Sequence, residues 1–250
     1  MLPGMQNRVD VGGVLSRAFS IYGDQAAVLL PVAFGLFLIV GVLQGLLGGF
    51  LVLIATLVSL IATTLYTGMV VKLVEDVQDG RRDHSAGDLL GSAAPVIAPL
   101  IGAGIIVGII VVIGFILLIV PGLFFITIFA VVAPVIVIER AGVFESLGRS
   151  RALVKGNGWN VFGVIIVAFL ITFIVSAILG GIGAAIGGVV AHIIFSVIAN
   201  TLTAPIAALV AAVLYFTLRG GDTAAAAPGD VAVTPDTSGT PPPPPPPPAQ

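Results

Sequence analysis

Six long apolar stretches, none of which contains an Asp, Glu, Lys or Arg residue, dominate this sequence. A helix needs about 20 residues to cross the hydrocarbon core of a bilayer, and most of the stretches reach that length. Transmembrane β-strands alternate apolar and polar residues, whereas these stretches are continuously apolar. The sequence therefore predicts an all-α, polytopic helical membrane protein with six transmembrane helices, at residues 26–47, 50–71, 96–120, 123–138, 161–179 and 189–218.

The charged residues occur only in alternate gaps between these stretches. All ten Lys and Arg residues lie in the N-terminal arm, in 72–95, in 139–160 or after 218. Short loops that carry Lys and Arg stay in the cytoplasm, so we expect both termini to be cytoplasmic. Arg outnumbers Lys, and Ala, Gly and Val are abundant, as in GC-rich bacterial genomes. The expected location is the bacterial cytoplasmic (inner) membrane.

The fourth stretch, 123–138, is short for a span and contains Pro134. It is either a thin span or one half of a re-entrant hairpin formed with the stretch before it. A re-entrant hairpin would reduce the number of membrane spans by two, which leaves both termini on the same side of the membrane. Both alternatives therefore keep the termini cytoplasmic. Proline inside a helix removes a backbone hydrogen bond and favours a kink, which is our expectation for Pro31, Pro99, Pro134 and Pro205.

An amphipathic segment precedes each pair of stretches. Apolar residues at helical spacing form one face of the first segment, at Val11, Val14, Leu15, Ala18, Phe19 and Tyr22. Shorter or looser stripes occur at Ala86, Leu89, Leu90 and Ala93, and at Phe144, Leu147, Leu153 and Val154. The predicted architecture is three transmembrane hairpins, each preceded by a cytoplasmic amphipathic helix. The alternative is that amphipathic helices precede the spans without any repeat.

The chain divides into three predicted parts. Residues 1–25 form an N-terminal cytoplasmic arm with an amphipathic helix, and residues 26–219 form the six-helix transmembrane domain. Residues 220–250 form an Ala/Pro-rich cytoplasmic tail that ends in a run of prolines. That composition cannot build a packed core, so we expect the tail to be disordered.

Few side chains in the spans are suited to catalysis or to metal binding. The sequence has no Cys, and a lone His192 in an apolar stretch fits packing better than metal binding. The acidic residues Glu75, Asp79 and Asp83 lie beside arginines and fit a solvated helix. We therefore expect no catalytic residue, no metal and no cofactor. Ten basic residues divided among four segments also argue against nucleic-acid binding.

Small and polar residues inside the spans predict how the helices pack. Polar side chains interrupt the last stretch at Asn200, Thr201 and Thr203, where they either line a path for a neutral solute or form hydrogen bonds between helices. Glycines at helical contact spacing predict close helix packing; they are Gly41/Gly45, Gly104/Gly108 and Gly183/Gly187.

One region carries a distinctive motif, which consists of Pro121-Gly122, Pro134, Glu139, Arg149-Ser150, Lys155-Gly156-Asn157 and Trp159. The motif resembles the bacterial and archaeal family named for the membrane domain of glycerophosphoryl diester phosphodiesterase, and it is similar also to other six-span bacterial proteins. The general layout agrees over 10–219 and the motif over about 120–160. In that phosphodiesterase the chemistry resides in a separate barrel, which needs about 250 residues. Only 31 residues follow Arg219, so we expect no enzymatic activity.

The motif residues have structural interpretations of their own. Gly156 or Asn157 can adopt the left-handed conformation that ends a helix. Trp159 is placed where an aromatic side chain meets the membrane interface. Glu139 is expected to pair with an arginine of the following helix, and so to fix how that helix meets the span.

These features favour a non-catalytic membrane scaffold or helper that binds lipid or partner proteins. The expected partners are the lipid bilayer and, beyond it, anionic lipid headgroups or other membrane proteins. The basic cluster that would attract such headgroups comprises Arg140, Arg149, Arg151 and Lys155. The alternative is a permease or channel component for a neutral or lipidic solute, which requires polar faces on several spans to converge.

Overall fold

The computed structural model describes residues 9–46, 51–79, 87–88, 91 and 94–226, and this part of the chain is helical apart from short turns and connections. A single 3₁₀ turn, Ala94–Val96, precedes the fourth helix, and no β-strand occurs among the described residues. The α-helices are α1 (Val11–Asp24), α2 (Ala26–Leu46), α3 (Leu51–Gln78), α4 (Ile97–Leu117), α5 (Ile119–Ile128), α6 (Val132–Glu139), α7 (Val143–Val154), α8 (Gly158–Ile186) and α9 (Gly188–Ala226).

Six segments in the described part of the chain are long and apolar enough to cross a membrane. They are Ala26–Gly45, Leu53–Gln78, Ile97–Leu117, Ile119–Glu139, Gly158–Ile186 and Gly188–Gly220. The fourth segment has 21 residues because its helix begins at Ile119, before the stretch that the sequence predicted. At 1.5 Å per residue it reaches about 31 Å, enough for the hydrocarbon core.

Pro134 divides this fourth segment into α5 and α6. A proline ring clashes with the carbonyl group four residues earlier, which here belongs to Ala130. The chain turns at residues 129–131, between α5 and α6, and Pro134 lies in the first turn of α6, where a missing N–H is tolerated. The expected kink at Pro134 is therefore present, whereas Pro31 and Pro205 lie inside continuous helices.

The turn between α4 and α5 lies at Leu118, and not at Pro121-Gly122 as the sequence suggested. Leu118 has extended backbone angles, and Pro121 and Gly122 already belong to the first turns of α5. A Cβ atom on Gly122 would lie 2.5 Å from the ring of Phe115, so glycine is required where α5 passes α4. The connection between α8 and α9 is likewise confined to Gly187 and Gly188, which both have positive φ.

The helices α9 and α3 run through the centre of the bundle. α9 contacts α1, α2, α3, α6, α7 and α8. Large side chains on α9 and α3 are fully buried, among them Tyr66, Met69, Leu209, Leu214 and Tyr215. In contrast, the tips of α4 and α8 expose rows of Ile, Leu and Val side chains, as expected of surfaces that face lipid.

The bundle has two chemically different ends. The described helix ends that carry Asp, Glu, Lys and Arg lie at one of them, which we call the charged end. The turns at Leu118 and at Gly187-Gly188 lie at the opposite end, the uncharged end. The loop around Gly48-Gly49 is outside the described residues.

At the charged end, α1 packs on α9, α8 and α2. Asp10 caps the helix by accepting hydrogen bonds from the N–H groups of Gly12 and Gly13. Val14, Ala18 and Ile21 are buried, while Phe19 stays exposed. Burial raises the pKa of the Tyr22 hydroxyl, which remains protonated at neutral pH and donates to the carbonyl oxygen of Leu202 at 3.4 Å.

The helix α7 buries a face that differs from the predicted stripe. Leu153 and Val154 are buried as expected, but Phe144 is 77% exposed. Two serines, Ser146 and Ser150, take the buried positions instead, because their hydroxyl groups find carbonyl partners. The middle amphipathic segment, at Ala86–Ala93, falls almost entirely outside the described residues.

The predicted glycine contacts occur in part. Cβ atoms at Gly41 and Gly45 would collide with Val197 and Ile193, so these glycines bring α2 close to α9. Gly183 is similarly close to Phe195, but a Cβ at Gly104 or Gly108 would meet nothing within 4 Å. Those last two glycines therefore make no close helix contact, and the spacing alone was an insufficient signal.

The ends of the chain are described only in part. α9 continues to Ala226, past the boundary at 220 that the sequence suggested. Residues 1–8 and 227–250, including the proline run, are outside the described residues.

Candidate functional site

A network of polar side chains links three helices at the charged end. The ion pair expected of Glu139 is present: Arg149 Nε lies 3.3 Å from Oε1 and 3.2 Å from Oε2 of its carboxylate. The buried Tyr215 hydroxyl donates to Glu139 Oε1 at 2.8 Å and accepts from Arg219 Nη1 at 3.3 Å. We call Glu139, Arg149, Tyr215 and Arg219 the charged-end network. It joins the end of α6 to α7 and to α9.

A serine of the motif connects α7 to the end of α5. Ser150 Oγ donates to the carbonyl oxygen of Ile128 at 2.8 Å. Ile128 is the last residue of α5, where carbonyl groups lack partners within their own helix. The buried Ser150 hydroxyl thus satisfies a helix end that Pro134 interrupts.

The asparagine of the motif holds the N-terminal arm. Val9 N donates to Asn157 Oδ1 at 3.3 Å, and Asn160 Nδ2 donates to the carbonyl oxygen of Val9 at 2.8 Å. Gly156 has φ of +91°, which confirms the left-handed conformation expected after α7. Together these residues bring the start of α1 to the start of α8.

A groove of about 780 Å³ runs between α5 and the start of α8. Its apolar wall is one face of α5, and Gly156, Asn157, Trp159 and Asn160 lie at its charged end. Trp159 is 87% exposed and packs edge-on against Phe162. We call this feature the Trp159 groove; its remaining lining residues are Val120, Leu123, Phe124, Thr127, Ile128, Gly158 and Phe162.

The remaining motif residues lie outside the lining of this groove. Pro121 and Gly122 start α5, Pro134 starts α6, and the exposed Lys155 adjoins Gly156 at the groove mouth. The structure thus brings Glu139 and Arg149 into contact. It places Ser150 on α7, Lys155 and Asn157 on the connection between α7 and α8, and Trp159 in the first turn of α8.

A second cavity, of about 530 Å³, lies between α2, α3 and α9 towards the uncharged end. Polar side chains from all three helices line it: Gln44 from α2, three hydroxyl side chains from α3, and polar residues of α9. We call it the uncharged-end cavity; its polar lining consists of Gln44, Thr56, Ser59, Thr63, His192, Ser196 and Asn200.

An aromatic pair lies under this cavity. Phe37 lines it, and the ring of Tyr66 packs edge-on against Phe37 with ring centres 6.0 Å apart. The Tyr66 hydroxyl donates to the carbonyl oxygen of Leu29, and Leu29, Ala33 and Tyr66 are all buried. These buried side chains therefore close the cavity towards the charged end.

The three polar residues predicted to interrupt the last span lie in different places. Asn200 lines the uncharged-end cavity and donates to the carbonyl oxygen of Ser196 at 2.8 Å. Thr203 is buried and donates to the carbonyl oxygen of Ala199. Thr201 is buried too, and its Oγ1 makes no hydrogen bond to any described residue.

The sequence reasoning missed the polar contributions of α2 and α3. Thr56, Ser59 and Thr63 are spaced three and four residues apart, so they fall on one face of a helix. Gln44 is an amide in an otherwise apolar stretch. Both features can be read from the sequence. The sequence does not show, however, whether these polar faces of α2 and α3 point towards α9.

Acidic and histidine side chains do not converge in the part of the chain that the structure describes. No group of three or more His, Asp or Glu residues there is placed to hold a metal ion. The ion pair between Lys72 and Glu75, at 2.6 Å, joins neighbours on α3.

The helices and their polar sites define the class of the protein: a multi-pass helical membrane protein, with six membrane-length segments in its described part. Residues 46–214 match the uncharacterised protein family UPF0259. Because the match covers more than half of the chain, the protein belongs to this family. No curated protein and no solved structure matches the chain.

The resemblance to the glycerophosphoryl diester phosphodiesterase membrane-domain family is therefore wrong. The family that matches is UPF0259, and no comparison indicates the phosphodiesterase family. The structure explains why the motif was not specific. Gly122 permits helix contact, Gly156 ends a helix and Trp159 is an exposed interfacial aromatic, and many helical membrane proteins need such residues.

Proposed function

We propose that this protein is a non-catalytic membrane scaffold that binds an anionic phospholipid in the Trp159 groove. It is a multi-pass protein of the bacterial cytoplasmic membrane, with the charged end and both termini in the cytoplasm. The segregation of all Lys and Arg residues into alternate loops supports this orientation. In this orientation the mouth of the Trp159 groove lies at the inner leaflet.

The architecture that we propose is three transmembrane hairpins, each preceded by a cytoplasmic amphipathic helix. Contacts between α2 and α3, between α4 and α5, and between α8 and α9 support the pairing of successive spans. The positions of α1 before α2 and of α7 before α8 support the amphipathic helices in the first and third units.

The single observation that carries lipid binding is the shape and chemistry of the Trp159 groove. An apolar wall of α5 suits an acyl chain, and the amide groups of Asn157 and Asn160 lie at the end where a headgroup would be. Trp159 is suited to the boundary between them, because its ring is apolar and its N–H is a hydrogen-bond donor. The groove thus offers separate surfaces for the two halves of a lipid.

Exposed cations favour an anionic headgroup at this place. Lys155 adjoins the groove, and Arg151 lies one helical turn before it on α7. Each contributes about 1 kcal/mol of attraction to an anionic leaflet. The nearby Asp10 carboxylate is already engaged in capping α1, and Glu139 is paired with Arg149.

The charged-end network makes this end suited to a scaffold. It holds α6, α7 and α9 together, while Asn157 and Asn160 hold the start of α1. Lipid that binds beside α8 would therefore act on a rigid junction of several helices. A partner protein that binds the exposed surface of α7 would act on the same junction.

A permease or channel component for a neutral solute is the second candidate. It is favoured by the uncharged-end cavity, where polar side chains of three spans converge. The aromatic floor of that cavity, Phe37 and Tyr66, opposes a continuous path in this conformation.

The lipid proposal can be tested through Trp159, since the chain contains a single tryptophan. The full-length protein is reconstituted in phosphatidylcholine with small fractions of brominated phosphatidylglycerol or brominated phosphatidylcholine, and quenching of Trp159 fluorescence is measured. We expect the apparent association constant of the anionic lipid to exceed that of the zwitterionic lipid by about fivefold or more. Lys155→Gln should reduce this preference by about fivefold.

The matched control is Arg17→Gln, which removes an exposed cation from α1, away from the groove lining. It should leave the preference unchanged. Equal quenching by the two lipids, or an equal effect of both substitutions, would show that Trp159 reports only general lipid contact.

A further inference from the structure

We infer that the uncharged-end cavity is a binding site for a neutral small molecule that bears several hydroxyl or amide groups. This site lies between α2, α3 and α9, none of which lines the Trp159 groove, and the inference does not rest on lipid binding.

The depth of the cavity places polar groups inside the membrane. Along α9, Asn200 lies about 22 Å from Tyr215 in the charged-end network, and His192 lies about 34 Å from it, at 1.5 Å per residue. The hydrocarbon core is about 30 Å thick, so the cavity extends from the membrane interior to the uncharged surface.

Polar side chains at this depth need a polar occupant. Gln44, Thr63 and Asn200 are exposed, and exposed polar groups are unfavourable against lipid tails. The hydrogen bonds of Ser196 and Asn200 to carbonyl groups of their own helix use one donor each and leave the acceptor oxygens available. A bound molecule with several hydrogen-bond donors and acceptors would complete the hydrogen bonding of these side chains.

The lining selects against charge. None of its residues is Asp, Glu, Lys or Arg, and its one titratable side chain is His192. An unpaired charge at the centre of a membrane costs about 2.5–3.5 kcal/mol. Amides and hydroxyl groups instead match the donors and acceptors of an uncharged polar molecule.

The cavity is framed by rigid contacts rather than by loosely packed helices. Gly41 and Gly45 bring α2 against Val197 and Ile193 of α9, and Phe37 closes the floor. Its volume of about 530 Å³ lies within the range of small-molecule sites. A solute would enter from the uncharged end and stop above Phe37.

The experiment uses the absence of cysteine from the chain. Ser59→Cys introduces a thiol of similar size into the cavity, and Leu57→Cys introduces one on the lipid-exposed surface nearby. Only a thiolate reacts rapidly, and a thiolate forms only where water reaches it. A neutral hydroxyethyl methanethiosulfonate should therefore modify Cys at position 59 in full-length protein in liposomes, and should modify position 57 far more slowly.

Protection by solutes then tests the chemical class. Glucose, glycerol and acetamide are the neutral probes, and phosphate and ethanolamine are the charged probes. We expect at least one neutral probe to slow modification of Ser59→Cys by about threefold at about twice its Kd, by mass action. Adding Asn200→Leu should abolish this protection, whereas Thr203→Val, which changes a buried residue of the same helix, should preserve it.

Three results would overturn the inference. A thiol at position 59 that does not react would show that lipid or a second copy of the chain covers the cavity. Reaction without protection by any neutral probe would show a cavity that holds water alone. Equal protection by the charged probes would show that the site does not select neutral molecules.

Discussion

The hydroxyl group of Tyr215 lies 2.8 Å from the Glu139 carboxylate and donates a hydrogen bond to it. The two residues come from different helices, α9 and the end of α6, and Tyr215 is fully buried. Arg149 and Arg219 complete the network from α7 and from the end of α9. Through Tyr215, the central helix α9 is therefore connected to the junction of α6 and α7.

Removing the Tyr215 hydroxyl should destabilise the protein. Tyr215→Phe keeps the ring and removes the shorter of two hydrogen bonds to Glu139 Oε1, so that the contact with Arg149 Nε remains; the loss of a hydrogen bond to a charged group costs about 1.5 kcal/mol. For a chain of this size the apparent melting temperature should fall by about 3–6 °C in detergent. Tyr22→Phe, which removes a 3.4 Å hydrogen bond to a carbonyl group, should have a smaller effect. A larger fall in melting temperature for Tyr22→Phe than for Tyr215→Phe would contradict the stabilising role of the Tyr215 hydroxyl group.

The ion pair between Glu139 and Arg149 should show direct coupling. The Arg149 side chain is 34% exposed and that of Glu139 is 24% exposed, so we expect a coupling energy of about 0.5–1 kcal/mol. A double-mutant cycle with Glu139→Gln and Arg149→Gln, followed by chemical unfolding, measures it. The same cycle with Arg151→Gln is the control, and it should give no coupling to Glu139.

Close packing of α2 against α9 should make Gly41 intolerant of a methyl group. In Gly41→Ala the new Cβ would lie 2.6 Å from Val197 Cγ2, and such overpacking costs about 1–3 kcal/mol. Gly35→Ala on the same helix meets nothing within 4 Å and should stabilise the helix by about 0.5–1 kcal/mol. Thermal unfolding of both variants measures this difference in stability. Equal effects of the two substitutions would contradict the close packing of α2 against α9.

The N-terminal arm should depend on Asn160. Asn160→Asp preserves the shape of the side chain but removes the N–H donor to the Val9 carbonyl group, 2.8 Å away, and sets two oxygen atoms against each other. We expect faster hydrogen exchange at the first amides of α1, with unchanged exchange in the buried part of α9. Unchanged exchange in α1 would mean that its packing on α8 and α9 alone holds it.

The charge pattern and the motif predicted much of the charged end. The absence of charge from six stretches identified the segments that are long enough to span, and the acid at position 139 indicated an ion pair with an arginine of the following helix, which in the structure is Arg149. Gly156 was identified because few residues other than glycine readily adopt a positive φ after a helix. These features depend on local sequence, or on elements that are close in the chain.

The sites depend on how each helix is rotated about its axis, which the sequence does not specify. A helix that is apolar all round gives no periodic signal for the face it turns to its neighbours. Ser59 and Asn200 are far apart in sequence. They line the same cavity only because α2, α3 and α9 pack around it. Phe144 and Ser150 illustrate the same difficulty, since α7 buries the serine and exposes the aromatic side chain.

Both the lipid groove and the solute cavity depend on which side of the membrane each end of the bundle faces. Val190→Cys, at the exposed start of α9, and Arg151→Cys, on the exposed surface of α7, place a thiol at either end. With a membrane-impermeant maleimide, intact cells of a bacterial host should label Val190→Cys and should label Arg151→Cys only after permeabilisation. The reverse pattern would contradict both the inner-leaflet groove and a cavity open to the outside.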